Sequence, residues 1–404
     1  MRVFFGAALS AVVMLVACAA ETRAAAEYRL VDLANLKPTD INEHGQIAGT
    51  TLLANLSSRA ALLQPGSDTL ELINFGTHSG DGVALNNYGQ ILSRDADSTT
   101  GYLRQPFWAP DAPNGASGAI GWATYLPYPS GNLEGAGGFD IGEDGTILIG
   151  GWDFAGGGVQ SYIWKPSTPN GSSGSMMLFG GGGGTSVSIK SINDRGDIAG
   201  SDANGAFVFI PTTLNGIDGV RHKLSATPMG LASSAEEIND VGQIVGTTKV
   251  GNRLHAMFWD PQVPNGSSGA MHDLGLLPGR LQSYAVDVNN SGVVIGVADD
   301  NSVTSITSAN KLNGLAFVWT ESAGMQSLVD LVDSSGDGWN LYSVTGVNDQ
   351  GQIVGMGLYD PDGDGGVPAV VRGFLLNPVP EPTSLGLGLA ALVGCAAGRR
   401  RLRK

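Results

Sequence analysis

The sequence predicts an all-β ring of about seven four-stranded units, with an N-terminal signal peptide and a C-terminal membrane or sorting segment. Three observations carry that prediction. A unit of the form Ile-Asn-x-x-Gly-x-Ile-x-Gly recurs at a mean spacing of 51 residues, read from Asn42 to Asn348 over six intervals. Glycine supplies 61 of 404 residues while charged residues make up only 15%, a composition of many turns and short strands. Between the two ends no stretch carries a 3.6-residue apolar period, so no amphipathic helix is expected.

The chain opens on a secretory signal. Arg2 precedes an apolar stretch from Val3 to Ala20, and Ala24-Ala25-Ala26 offers a small-residue cleavage site before Glu27. Residues 1–26 are therefore assigned as a signal peptide. Leu15-Val16-Ala17-Cys18 also resembles a lipoprotein box with Cys18 as the lipidated residue. Cleavage near Ala26 is adopted here, with lipidation at Cys18 as the alternative.

The repeat occupies residues 27–378. Its copies are Ile41 to Gly49, Leu85 to Ile91, Ile141 to Ile147, Ile192 to Ile198, Ile238 to Ile244, Val288 to Val294 and Val347 to Ile353. The third copy is degenerate, with Gly142 in place of the asparagine. Each unit has turn chemistry. The Asn caps the turn with its side chain, and the Gly three residues later takes the positive φ of a type I turn followed by a bulge. Flanking Ile and Val make each copy a strand–turn–strand hairpin.

A third strand follows each hairpin and carries an aromatic face, as in Pro106-Phe107-Trp108, Met257-Phe258-Trp259 and Phe317-Val318-Trp319. A loop such as Pro113-Asn114-Gly115, Pro169-Asn170-Gly171 or Pro264-Asn265-Gly266 usually comes next. A fourth strand closes the unit, as in Met271-His272-Asp273-Leu274. Four short antiparallel strands per unit of about 50 residues is the plan of a β-propeller blade. The seventh unit stops at its third strand, Phe374-Leu375-Leu376. The segment Tyr28 to Leu33 reads as a fourth strand with no unit before it. A ring in which that strand completes the last blade leaves neither edge open.

The last segment, 379–404, has three parts. Val379-Pro380-Glu381-Pro382-Thr383 is followed by an apolar run, Leu385 to Ala397, and then by Arg399-Arg400-Arg401-Leu402-Arg403-Lys404. Prolines hold the first part extended. The apolar run is shorter than the roughly 20 residues of a spanning helix, which suits a temporary anchor. The basic cluster fixes its orientation by staying on the cytoplasmic side. This order resembles the PEP-CTERM sorting signal of Gram-negative bacteria. The resemblance implies processing near Pro380, Glu381 and Pro382 by an exosortase-like membrane protease. It implies a transient inner-membrane anchor and a final place at the cell surface or in the extracellular polysaccharide matrix.

Composition excludes several function classes. The only cysteines are Cys18 and Cys395, so residues 27–378 can hold neither a disulfide nor a thiol nucleophile. The formal charge is −15; subtracting the tail's net four positive charges, five basic residues against Glu381, and the net one of the signal peptide leaves −20 for residues 27–378. Nucleic acid is excluded as a partner on that ground. The five histidines, His44, His78, His222, His255 and His272, are widely spaced, with no metal-ligand pattern. No Ser sits in a Gly-x-Ser-x-Gly elbow. Gly180 to Gly184 lacks the Lys and following helix of a phosphate cradle and reads as a loop. The metal candidate is Asp360-Pro361-Asp362-Gly363-Asp364-Gly365, where Asp360, Asp362 and Asp364 alternate like the first half of a calcium loop. Val371 stands where such a loop needs its glutamate. The competing reading is an acidic hairpin tip. The same holds for Asp333 and Asp337 in Asp333-Ser334-Ser335-Gly336-Asp337-Gly338.

Ile238 to Gly275 shows Asn-x-x-Gly-Gln-Ile-Val-Gly, then His-Ala with an aromatic pair ending in Trp, then Asp-Leu-Gly. This pattern resembles the HAF family of extracellular bacterial repeats over roughly Leu30 to Asn377. Only His255 keeps the family's histidine, so no general role attaches to it. The expected function is a secreted, non-enzymatic structural or binding module at the cell surface or in the matrix, without a cofactor other than calcium at Asp360, Asp362 and Asp364. An exopolysaccharide is the expected partner. The alternative is a carbohydrate-binding or carbohydrate-cleaving propeller, whose mark is two carboxylates about 5–10 Å apart at a channel mouth.

Overall fold

The computed structural model describes residues 27–55, 57–75, 82–93, 104–124, 133–153, 157–181, 184–224, 233–300, 314–363 and 366–379. The signal peptide, Pro380-Glu381-Pro382, the apolar run and the basic cluster lie outside them. Among the described residues 28 strands, numbered β1–β28 in chain order, form seven four-stranded antiparallel sheets. The chain is a seven-bladed β-propeller, and the only helices among the described residues are two short 3-10 turns, Leu328–Leu331 and Ser334–Gly336. No helix among these residues is long and apolar enough to cross a membrane.

Blades 1 to 6 each take four consecutive strands. Their inner strands are β2 (Lys37–Ile41), β6 (Gly82–Leu85), β10 (Leu133–Ile141), β14 (Val187–Ile192), β18 (Ser233–Ile238) and β22 (Gln282–Val288). Blade 7 is composite. Its order is β26 (Trp339–Val347), β27 (Ile353–Tyr359), β28 (Val370–Pro378) and then β1 (Tyr28–Asp32). Tyr28 pairs with Pro378 and Asp32 with Phe374, so the N-terminal strand closes the ring as the sequence predicts. Ion pairs Arg372–Asp32 and Arg29–Asp333, the latter at 3.3 Å, clasp its two ends.

The repeated turn has the expected geometry. In blade 1 the Gly45 amide donates to the Asn42 carbonyl at 2.9 Å and the Asn42 amide to the Gln46 carbonyl at 3.1 Å. Gly45 has φ +74°, a conformation that costs a side-chain-bearing residue. The Asn42 side-chain oxygen accepts from the His44 and Gln46 amides, both at 3.0 Å.

The core is divided among the blade interfaces. Seven buried apolar clusters occupy the seven seams between neighbouring blades. The aromatic strand explains how one blade serves two seams. Successive strand residues face opposite sides, so Phe107 enters the cluster with blade 3 and Trp108 the cluster with blade 1. Phe258 and Trp259 divide in the same way between blades 6 and 4. The second Gly of the repeat makes room for this packing. A Cβ on Gly296 would stand 2.1 Å from the Tyr284 carbonyl oxygen and 2.4 Å from the Phe317 ring.

Candidate functional site

Seven inner strands surround an axial channel, and its two ends differ. At the turn end the repeated loops converge, and three tiers of residues, most of them polar, surround the axis. The first tier arises from a register shift that every inner strand makes just before its last residue. The extra residue of each bulge is left out of the pairing: Thr39, Val83, Phe139, Lys190, Glu236, Val286 and Thr345. The residues that follow it, Asp40, Ala84, Asp140, Ser191, Glu237, Asp287 and Gly346, make up the first tier. Asp40 accepts from Ile41 at 2.7 Å and from Leu85 of the next blade at 2.8 Å. Asp140 accepts in the same way from Ile141 and Ile192, and Asp287 from Val288 and Val347. Glu237 accepts from the Ser191 hydroxyl across the seam between blades 4 and 5.

The second tier is the repeat asparagine. Its side-chain amide donates to the backbone carbonyl of the equivalent residue one blade on. Asn42 reaches Asn86, Asn86 reaches Gly142, Asn193 reaches Asn239, Asn239 reaches Asn289, Asn289 reaches Asn348 and Asn348 returns to Asn42, at 2.8–3.1 Å. The belt lacks one link, between blades 3 and 4, because Gly142 has no side chain to make it.

The third tier is the residue after the asparagine: Glu43, Asn87, Glu143, Asp194, Asp240, Asn290 and Asp349. In all of them but Asp194 the side chain accepts the backbone amide of the preceding blade, as in Asn87 N–H to Glu143 at 2.8 Å and Asp194 N–H to Asp240 at 3.0 Å. The loops after the third strand join this network. The Asn114 amide donates to the Tyr88 carbonyl of its own blade's turn, and Gln46 of blade 1 reaches the Asn114 carbonyl at 3.2 Å.

This end carries nine carboxylates and no Lys, Arg or His among its described lining residues. Burial pushes the Asp40 and Glu237 carboxyls well above the usual range, and repulsion from Asp287 and Asp140 adds to it. Burial raises Asp287 to about 6, against the pull of its two amide donors. Glu143 is pushed to about 7 by burial and then by the charges of Asp194 and Asp240, and Asp194 to about 6 by burial and Asp240. Chemically, these groups hold the ring together and hold protons.

The opposite end opens into a cavity of about 1130 Å³. Phe139, Tyr284 and Tyr342 line it together with Lys190, Glu236 and Asp299. Lys190 Nζ sits 4.7 Å from the Phe139 ring centroid and 3.7 Å from Glu236. The Tyr284 hydroxyl donates to Gln282 at 3.1 Å, and Gln282 pairs across the sheet with Asp299.

The residues singled out from sequence lie elsewhere. Asp360 accepts from the Asp362 amide and Asp362 from the Val367 amide, both at 3.3 Å, so each caps the loop before β28. Asp364 and the processing motif Pro380, Glu381 and Pro382 lie outside the described residues. Among the described residues no three His, Cys, Asp or Glu side chains are arranged to hold one metal ion. Asp333 caps a 3-10 turn through Ser335. His255 pairs with Asp273 at 2.9 Å and His272 stacks near Phe258, as expected of satisfied histidines. The first-tier carboxylates were missed. Their signal was present as an acidic residue directly before the repeat Ile or Val in four of seven copies.

No family model matches the chain, and no match is found among curated proteins. Among solved structures, YCF48 bound to D1 peptide is similar at 11% identity, covering 88% of this chain and 97% of that one, with a TM-score of 0.44. The Dos1 propeller is similar at 9% identity, covering 87% and 95%, with a TM-score of 0.45. The WD40 domain of SCAP from fission yeast is similar at 9% identity, covering 92% and 97%, with a TM-score of 0.40. The fold assignment rests on the strand pairing described above, not on these likenesses.

Proposed function

We propose that this propeller is a secreted, cell-surface or matrix-associated module that binds or scaffolds rather than catalyses. Its C-terminal segment directs it there, through a transient inner-membrane anchor and an exosortase-like protease acting near Pro380, Glu381 and Pro382. The observation that carries the reading is the use of the turn-end polar groups. The carboxylates of Asp40, Asp140 and Asp287 accept backbone amides from the next blade, so they serve the ring's integrity. Recognition is left to the open-end cavity. An exopolysaccharide of the matrix is the partner the reading names.

A second reading, a carbohydrate-cleaving propeller, draws support from Glu236 and Asp299 lining the same cavity as Tyr284 and Tyr342. The purified protein screened against a panel of polysaccharides separates the two. Retention without release of reducing ends supports the binding module. Reducing ends formed at a rate abolished by Glu236→Gln support the cleaving enzyme, and neither result rejects both.

A further inference from the structure

The outer rim of the seam between blades 3 and 4 carries a surface that neither the ring nor the channel uses. β13 (Gly174–Gly180) and β17 (Gly219–Lys223) are the outermost strands of those blades, and each pairs on one side only. A cleft of about 240 Å³ lies at this seam, lined by Met177, Leu178, Phe179, Phe209, Ile217 and Arg221 among others. Leu178 and Ile217 on its wall are 56% and 43% exposed.

The charge here is the reverse of the molecule's. Residues 27–378 carry a net −20, yet β17 ends in Arg221-His222-Lys223. Arg221 and Lys223, two residues apart, share one face of the strand. The Arg221 guanidinium lies 5.5 Å from the Phe179 ring centroid and 5.6 Å from that of Phe207, so this face looks toward blade 3. Among the described residues neither Arg221 nor Lys223 has a carboxylate partner. Arginine combines stacking on a ring with a fork of N–H donors that fits a carboxylate.

Three features select the occupant. The unpaired edge offers main-chain donors and acceptors to an added strand, whose alternate side chains then supply specificity. The two cations admit an acidic strand and turn away strands of their own sign. The cleft is smaller than the roughly 300–1,000 Å³ of small-molecule sites and suits one apolar side chain. Gly219 keeps it open: a Cβ there would stand 2.5 Å from the Phe209 ring, so the strand has no side chain of its own at that position. A uronate chain would instead set hydroxyls against Met177, Leu178 and Ile217, where they lose their water without gaining partners.

We propose that β17 accepts an extended acidic peptide segment as a fifth strand of blade 4. Continuing the blade's antiparallel order, the segment carries an acidic residue opposite Lys223, a second opposite Arg221 and an apolar one opposite Gly219, in the cleft. Its pattern is acidic-x-acidic-x-apolar. Asp218, the cleft's one carboxylate, adjoins the apolar end. The surface shares no lining residue with the open-end cavity, so it adds a protein partner without resting on what that cavity binds.

The test uses the purified full-length protein and a labelled peptide, Ser-Thr-Glu-Thr-Glu-Thr-Leu-Thr-Ser, followed by fluorescence anisotropy at low salt. Three companions are a peptide with both Glu replaced by Lys, a scrambled one with the two Glu adjacent, and one N-methylated at its five inner amides. The Glu peptide is expected to bind at least tenfold tighter than the Lys and N-methylated forms and at least threefold tighter than the scramble. The rest of this acidic molecule attracts the Lys peptide, so a preference for Glu reports the β17 rim. Lys223→Glu and Arg221→Gln, each checked for an unchanged thermal midpoint, are expected to weaken binding at least threefold. Lys223→Glu is the safer variant, because Arg221 packs on two rings. No binding of the Glu peptide overturns the inference, as does equal binding of the Lys or N-methylated form. So does binding untouched by either variant, which places the peptide elsewhere. A guluronate hexamer that displaces the peptide at a lower concentration than unlabelled peptide does overturns it in favour of a polyuronate site.

Discussion

The side-chain amide of Asn348 donates to the carbonyl oxygen of Asn42 at 3.1 Å, across 306 residues of sequence. This bond joins the last blade to the first at the level of the turns. The strand pairing of β1 with β28 joins them at the rim. The ring is therefore closed twice, by backbone at its edge and by side chains at its axis.

Removing residues 27–36 tests the outer closure. The deletion takes away Tyr28, Leu30 and Leu36, all buried, and leaves β28 with a bare edge. Loss of one buried large side chain costs about 2–5 kcal/mol, and an unpaired edge templates association. The expected outcome is a lower thermal midpoint with aggregation in light scattering. An unchanged midpoint contradicts the closure.

The axial belt has its own test. Asn239→Ala removes the cap accepted from Gln243 at 2.8 Å and the bond to the Asn289 carbonyl, also 2.8 Å. A lost cap costs about 0.5–2 kcal/mol and a lost buried hydrogen bond about 0.5–1.5 kcal/mol. Denaturant unfolding is expected to show a loss of about 1–3 kcal/mol on these values, with binding per folded molecule unchanged.

Gly142→Asn should act in the opposite direction. A Cβ at Gly142 meets nothing nearer than the Ile192 methyl at 3.4 Å, and Gly142 is not among the glycines with positive φ. The new amide is placed to supply the missing link to Asn193. A gain of about 0.5–1.5 kcal/mol is expected, measured by the shift in unfolding midpoint; a loss would show that the blade 3–4 seam does not share the geometry of the others.

The carboxylates predict an unusual pH dependence. Glu143 at about 7, Asp194 at about 6 and Asp287 at about 6 all lie above their unfolded values. The folded state thus holds protons that the unfolded state releases. The resulting stabilisation is complete below about pH 4, the unfolded range, and is lost as pH rises through 6 to 7. The thermal midpoint should fall between pH 5 and pH 8, and Glu143→Gln should flatten that slope. A midpoint that rises over the same interval contradicts the account.

The tail prediction concerns maturation. Protein recovered from the surface of its native host is expected to end near Pro380-Glu381-Pro382 and to lack Arg399 to Lys404, as read by mass spectrometry. Replacing Arg399, Arg400 and Arg401 with Glu should leave precursor at the inner membrane, since the orienting charge is gone. Intact Arg399 to Lys404 on most surface molecules would identify a permanent anchor instead.

Blade number, strand order and the closing role of Tyr28–Asp32 could be read from the sequence alone. They follow from local rules: a turn needs its Asn and Gly, an alternating strand needs its apolar face, and a truncated last unit needs the strand found at the other end. The capping role of Asn42 and its counterparts was legible for the same reason, because a cap bonds within its own turn. Their second role was not. A donor in one blade and an acceptor about 50 residues away meet only after seven sheets have closed around an axis, and Asn42 Nδ2 to Asn86 O is such a pair. Nor could composition reveal that Asp40, Asp140, Glu237 and Asp287 share one channel wall, because each follows a bulge in a different inner strand. The sequence determined the unit and how many times it is used. Only the tertiary structure decided which polar groups meet, because ring closure brings together residues whose separation along the chain carries no local signal.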